Sequence, residues 1–564
     1  MKRLALHLAL FILALGLGIS TSNTWAKQSP KTKLVVVISY DQMRGDYIER
    51  FNNILGDRGF KRLMKDGAHS PLCYYNHISN MTCPGHATLL TGCYPSKTGI
   101  VSNDFFDSPS ACMCYCVEDK KSPSVGNEKL GRSPALIKTP SLSDYLAKSY
   151  PKSKTVSLAL KDRAAILMSG FNTKNSVLWF DWKINAFTTS TYYKKPEWLQ
   201  ALNTAFPYDA YQQKTWNTII PDSLGYEDSV RYEGKFPGGD NTFPHELGNK
   251  EQKSYAEALL TSPYGIEFLF NASKFAIEHA GLGQDNQPDM LTIGVSTTDF
   301  LGHTFGPDSR ELQELYVHAD NVLADFLTYL DNTIGKQSYT IVITSDHGVG
   351  PIPEYVQSFG KVPVDAGRIN ESECIKSLEQ SLSAMFGADP NTSWISIFEP
   401  PSLFLNDSVI QQQGLKKSHV IDALCTVMQQ QQGIALAVPT SSIQQGRLIG
   451  GWTKEMLEMY RNAIYPERTG DIMFMTKPYW VWGPKPATHG TPYDYDTYVP
   501  LMFYGAGIPV NATIKGKTEP VDIAPTLANI LDISMKNIHG KILDISGKEI
   551  ANPEIIPPKN RKKK

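Results

Sequence analysis

An excess of charge of either sign is what this chain lacks most clearly. Lys and Arg total 55 against 56 Asp and Glu, a formal net charge of −1 over 564 residues. Without a basic surplus there is no broad electrostatic footprint for nucleic acid, and no nucleic-acid partner is expected. Long apolar runs are scarce as well. Beyond residues 4–19, no stretch is long and apolar enough to span a bilayer. No internal repeat is present. What remains is a chain 41% hydrophobic and 20% charged, enough to bury a large core.

The one apolar run has the pattern of a secretory signal peptide over residues 1–26. Lys2 and Arg3 precede it, and Thr24-Trp25-Ala26 offers a small-residue cleavage site. A membrane anchor is the alternative, but the run is short for a span and Gly-rich at its end. No Cys lies near the cleavage site, which argues against a lipid anchor. Cleavage removes two bases and no acids, leaving 53 − 56 = −3. The expected product is periplasmic or secreted, monomeric, and without a stable membrane span. Eight cysteines, an even number, permit disulfides in such a compartment. Cys112, Cys114 and Cys116 would share one face of a strand, as loop disulfides or as a metal site.

Strand-like runs recur beside chemically active residues. LVVVIS at 34–39 is continuous and apolar, as in a strand buried on both faces. It ends at Tyr40-Asp41. The run 290–295 ends just before the segment leading to Asp299, and 339–344 ends at Ser345-Asp346-His347. A further strand is expected at 498–504. Helical patterns cover 46–65, 254–280, 310–334 and 521–533. This alternation predicts an α/β fold, with a mostly parallel central sheet flanked by helices on both faces. Ligands of such sheets sit at the carboxyl ends of the strands, where these polar clusters fall. One catalytic domain is expected over 27–550, with cap insertions at about 171–250 and 351–470. A solvated basic tail follows at 551–564.

Asp41, Asp299, His303, Asp346, His347 and His489 form a scattered set of oxygen and nitrogen ligands. Such residues suit zinc, and six divide naturally between two ions. A pair of ions ~4 Å apart can stabilise attacking and leaving oxygens in an in-line displacement. Asp299 and His303, four apart, fit one helical turn. Taken one at a time, each Asp also reads as a turn or cap residue and each His as a packed one. The segment NMTCPGHATLLTG at 80–92 reads as a turn entering a helix, with Pro84 in the first turn. Thr82 would lie near that N-terminus, where the helix dipole favours an anion. It reads equally as a nucleophile or as a simple cap.

Together these motifs resemble the alkaline phosphatase superfamily, and within it the PafA-like phosphate-irrepressible periplasmic phosphatases with a Thr nucleophile. The resemblance rests on VVVISYDQMRGDY around Asp41, the T-x-P-G-H segment at Thr82, and GIVSN ending at Asn103. It continues through LKDR at 160–163, DFLGHTFGP at 299–307, SDHG at 345–348, THG at 488–490 and YYKKPEW at 192–198. It implies two Zn2+ ions. Asp299, His303 and His489 would hold one; Asp41, Asp346 and His347 the other, with Thr82 bound there as well. Thr82 would become a phosphothreonine, and Asn103 would donate to a phosphoryl oxygen.

A monoester carries one more nonbridging charge than a diester, and Lys161 and Arg163 are the cations that would meet it. Two residues apart on an extended segment, they would point the same way; K-D-R could also be a solvated turn. Cys83 departs from the pattern and could pair with a cysteine such as Cys93 or merely pack. The resemblance thus implies an alkaline phosphatase acting on small phosphomonoesters. Broad specificity is expected, because no leaving-group motif is visible. The alternatives are a phosphodiesterase or nucleotide pyrophosphatase on the same metals, and a metal- or phosphate-binding protein without turnover. Intact Thr82 argues against the last.

Overall fold

The structure, a computed structural model, describes residues 32–359, 362–448 and 452–546. The expected signal peptide and basic tail lie outside the described residues. Among the described residues no helix is long and apolar enough to cross a membrane.

A nine-stranded sheet organises the chain. Its strands are β1 Leu34–Tyr40, β2 Ala68–Ser70, β3 Thr155–Ala159, β4 Ser176–Asp181, β5 Ala186–Thr188, β6 Asp289–Val295, β7 Tyr339–Thr344, β8 Leu501–Gly505 and β9 Ala512–Thr513. Their spatial order is β9-β2-β8-β7-β1-β6-β3-β4-β5. β1 lies at the centre, parallel to β6 on one side and β7 on the other. β6 continues parallel to β3, and β3 to β4. Only β8 and the edge strand β5 run against this direction. The mostly parallel α/β sheet expected from the sequence is thus present. The expected strand at 498–504 is the reversed one.

Every residue of β1 is buried, and its alternation divides them between two cores. Val36, Ile38 and Tyr40 join the cluster that includes Leu269 and Phe270 of α3 (Pro263–Ala280) and Leu315 of α5 (Arg310–Leu330). Val35 and Val37 face Leu89 and Leu90 of α1 (Thr82–Thr91) and Leu527 of α6 (Ile523–Ile530). Each such buried Val or Ile contributes roughly 1.5–3 kcal/mol, which a strand exposed on one face would forgo at every second position.

Two expected helices are broken. Residues 46–65 form short helices Tyr47–Arg50 and Phe60–Asp66 with a turn between. The carboxylate of Asp320 on α5 accepts the Gly56 and Phe60 amides at 2.9 and 2.7 Å, pinning that turn. Residues 254–280 divide at Pro263, which begins α3 because it has no N–H to give a preceding turn.

The segment 171–250 is not all insertion. It first supplies β4 and β5 to the central sheet and only then wanders as loops and short elements. Between 371 and 482 a smaller unit stands apart. Its four-stranded sheet runs Ile395–Glu399, Ser402–Leu405, Ile472–Thr476, Ile434–Pro439, with antiparallel neighbours. Helices Glu371–Phe386 and Lys417–Gln429 share a core with it that contains Leu378, Trp394, Leu424 and Phe474.

Candidate active site

Three central strands deliver carboxylates at their carboxyl ends. β1 leads directly into Asp41. β6 leads into α4 (Thr297–Phe305), which carries Asp299 and His303 one turn apart. β7 leads into Asp346 and His347. His489 arrives on the loop before β8. Asp41, Asp299, Asp346 and His347 are all essentially buried.

The three histidines are held alike. Nδ1 of His303 donates to the Ala487 carbonyl at 2.9 Å, Nδ1 of His347 to Gly348 at 2.9 Å, and Nδ1 of His489 to Asn80 at 2.8 Å. A carbonyl only accepts, so each ring keeps its proton on Nδ1 and turns a bare Nε2 inward. Burial pulls His303 down to about 4 and His347 to about 3, which favours the neutral ring.

Those Nε2 atoms converge on the carboxylates. His303 and His489 Nε2 lie 3.3 and 3.5 Å from Asp299 Oδ1. His347 Nε2 lies 3.4 Å from both Asp41 Oδ1 and Asp346 Oδ2. Among the described residues Asp41 Oδ1 and His347 Nε2 are buried and have no hydrogen-bond partner. Lone pairs facing one another with no proton between them are repulsive unless a cation joins them. The donor set therefore fits metal ions. Asp299, His303 and His489 form one compact ligand group, and Asp41, Asp299 and His347 another. Asp299 thus falls in both groups, and Asp346 Oδ2 stands beside the second, 3.4 Å from His347 Nε2.

The charge balance points the same way. Burial first, and then Asp299 and Asp346, push the Asp41 carboxyl well above the usual carboxylate range. Among the described residues the ammonium in contact is that of Lys161, whose Nζ donates to Asp41 Oδ2 at 2.7 Å and Asp299 Oδ2 at 2.5 Å. Lys161 and Arg163 do not share an extended segment. Asp162 begins α2 (Asp162–Leu167), so Lys161 is its N-cap and Arg163 lies within its first turn. The two side chains part accordingly. Arg163 Nη1 donates to Tyr115 Oη at 3.2 Å, and that hydroxyl in turn donates to Asp162 Oδ1 at 2.5 Å.

Thr82 is the first residue of α1 and is buried; Met81 holds the N-cap position, so Thr82 is not the cap. The Cys83 amide donates to Asn103 Oδ1 at 2.9 Å, which leaves the Asn103 Nδ2 donors for another acceptor. Cys83 is bonded through sulfur to Cys116, not to Cys93, which is free and buried. Cys112 and Cys114 are also free, with sulfurs 3.0 Å apart. A shared hairpin explains the pairing: strands Asp104–Asp107 and Cys112–Tyr115 bring Cys116 back beside Asn103, whose carbonyl accepts the Cys116 amide at 2.9 Å.

Three further residues belong to this arrangement. His86, on α1, places Nδ1 2.9 Å from the Thr82 carbonyl and 3.1 Å from Asp346 Oδ2. Its place in T-x-P-G-H was the available signal. Gln42 donates to Asp299 Oδ1 at 2.8 Å from a left-handed backbone, φ 70°. A glutamine held there is strained, a common mark of functional sites. Tyr115 had no signal in the sequence.

Known proteins resemble this chain in sequence and in fold. Residues 35–492 match the family described as type I phosphodiesterase / nucleotide pyrophosphatase. A Myroides odoratus protein named calcium-transporting ATPase is 32% identical, over 90% of this chain and 93% of its own length. Alkaline phosphatase PhoV of Synechococcus elongatus is 31% identical, over 91% of this chain and 94% of its own. The crystal structure of wild-type alkaline phosphatase PafA superposes with a TM-score of 0.83 at 29% identity. That likeness covers 92% of this chain and 99% of that one.

Proposed function

The chain belongs to the type I phosphodiesterase / nucleotide pyrophosphatase family, and on that premise we propose that this hydrolase is an alkaline phosphatase that cleaves phosphomonoesters through a phosphothreonine at Thr82. The observation that carries the proposal is the convergence of three carbonyl-anchored imidazoles on three buried carboxylates, two of them bridged by the Lys161 ammonium. Its relatives named alkaline phosphatase support the same reading.

Two zinc ions, one with Asp299, His303 and His489 and the other with Asp41, Asp346 and His347, would supply positive charge against the phosphate and lower the pKa of a nearby hydroxyl. The residues of the chain do the rest. Thr82 Oγ1 attacks phosphorus from the start of α1, and the alcohol departs. Asn103, its carbonyl already engaged by Cys83, turns its NH2 to a phosphoryl oxygen. Lys161 and Arg163 meet the nonbridging oxygens, and the second negative charge of a monoester gains most from them. Water then cleaves the phosphothreonine and frees Thr82. The unit at 371–482, together with the loops of 189–250, acts as a cap. The Cys83–Cys116 bond supports a periplasmic or secreted enzyme.

A phosphodiesterase reading has one observation in its favour, the description of the matching family. Rates on a monoester and its matched diester separate the two. Incubation with a radiolabelled monoester followed by acid quench should leave label on Thr82. Thr82→Ser should keep label and turnover, and Thr82→Ala should lose both. Full turnover with alanine at 82, or a diester preference, overturns the proposal.

A further inference from the structure

A cavity of about 270 Å3 opens between the candidate active site and the cap, and the chemistry above makes no use of it. One wall is the site itself, through His489 and through Met81, the residue before Thr82. The facing wall is aromatic and includes Phe474, Tyr479, Trp480 and Trp482. These rings are braced. Trp482 meets Phe474 and Phe398 edge-on, at centroid distances of 5.7 and 5.3 Å. Trp480 is almost wholly buried and donates its indole N–H to Asp365 Oδ1 at 3.0 Å.

The charge of the wall is as distinctive as its rings. Glu371 and Glu399 line the cavity, and neither Lys nor Arg does among the described residues. Glu399 accepts a hydrogen bond from Ser102 Oγ at 3.2 Å. Burial, and then the neighbouring Asp104, lift its carboxyl to about 7. A carboxylate raised in this way has too little positive charge around it. An anionic leaving group would be repelled here. An organic cation would be attracted twice, by the ring faces and by the carboxylates. The volume sits near the low end for small-molecule sites, which are roughly 300–1,000 Å3.

We propose that this cavity is a leaving-group subsite selecting phosphate monoesters of small amino alcohols, their ammonium group lying among the aromatic rings and facing Glu371 and Glu399. The inference rests on the phosphomonoesterase reading and narrows it. The phosphoryl end accepts any monoester, while the departing alcohol is sorted by charge.

Phosphocholine and its uncharged isostere 3,3-dimethylbutyl phosphate differ only in that charge, so their kcat/KM ratio in the holoenzyme is the test. The ratio should exceed about tenfold. Glu371→Gln with Glu399→Gln should bring it close to one, through a loss of kcat/KM on phosphocholine larger than that on the neutral ester. Choline alone should quench tryptophan fluorescence in the wild type and not in the double variant. A ratio near one in the wild type, or one that survives both substitutions, overturns the subsite. Should neither ester be hydrolysed, the monoesterase reading fails. The choline titration then decides the subsite by itself: quenching that depends on both carboxylates upholds it, and its absence overturns it.

Discussion

Gly85 and Asp346 touch so closely that a β-carbon on Gly85 would lie 2.1 Å from the Asp346 carbonyl oxygen and 2.7 Å from its Cβ. The first turn of α1 therefore rests on the strand end that carries two of the candidate ligands. Neither partner is a flexible side-chain tip, so backbone would have to move. Gly85→Ala should lower kcat about a hundredfold through misplacement of Thr82, with the circular-dichroism spectrum unchanged. A full rate in a folded Gly85→Ala protein would show that Thr82 and Asp346 need no fixed separation.

Arg163 and Lys161 should separate in their effects. The Arg163 guanidinium leans on Tyr115, whereas the Lys161 ammonium bridges Asp41 and Asp299. Arg163→Ala should cut kcat/KM for a monoester by roughly 10²–10³ and spare the matched diester. Lys161→Ala should hurt both esters, because it also removes the ammonium between two buried carboxylates. Steady-state rates on the ester pair give the answer.

The bond between Cys83 and Cys116 ties the residue after Thr82 to the hairpin that presents Asn103 and Tyr115. Cys83→Ala with Cys116→Ala should cost roughly 2–5 kcal/mol in denaturant unfolding. It should also lower kcat under conditions where the protein stays folded, since α1 and Asn103 lose their common anchor. Single Cys93→Ala, at a free thiol, should do neither.

Stability should fall as the medium becomes alkaline. Glu311 is wholly buried, 3.0 Å from His245 Nε2, and burial above all lifts its carboxyl from 4.5 to about 8. Burial also holds His245 down at about 4, so the two meet as neutral partners and not as an ion pair. A carboxyl with a raised pKa binds its proton more tightly when folded. Its contribution is complete below about 4.5 and is lost as pH rises through about 8. The Tm should drop between pH 6.5 and 9, and Glu311→Gln should flatten that drop. An equal drop in the variant would place the sensitivity elsewhere.

The sheet and its chemistry were legible for one physical reason. Buried parallel strands read as unbroken apolar runs, and Asp41, Asp299 and Asp346 follow such runs directly. What was hidden depends on distant partners. The break in residues 46–65 comes from Asp320, 260 positions away from Phe60. β4 and β5 were obscured by the loops that follow them. The divergence of Lys161 and Arg163 turns on where α2 begins, one residue deciding between strand-like and helical spacing. The Cys116 partnership, and the roles of Gln42, His86 and Tyr115, exist only once separate segments are packed together.

The central strand β1 finds both its neighbours far along the chain: Leu34 pairs with Asp289 and with Tyr339. A folding chain must hold that sticky ribbon unpaired until those distant segments reach it. Folding of this kind is slow, because distant ends must meet before any contact rewards them. Since the last candidate ligand is His489, no fragment that stops before it can assemble the site, and activity itself reports that the chain has closed from β1 through that residue.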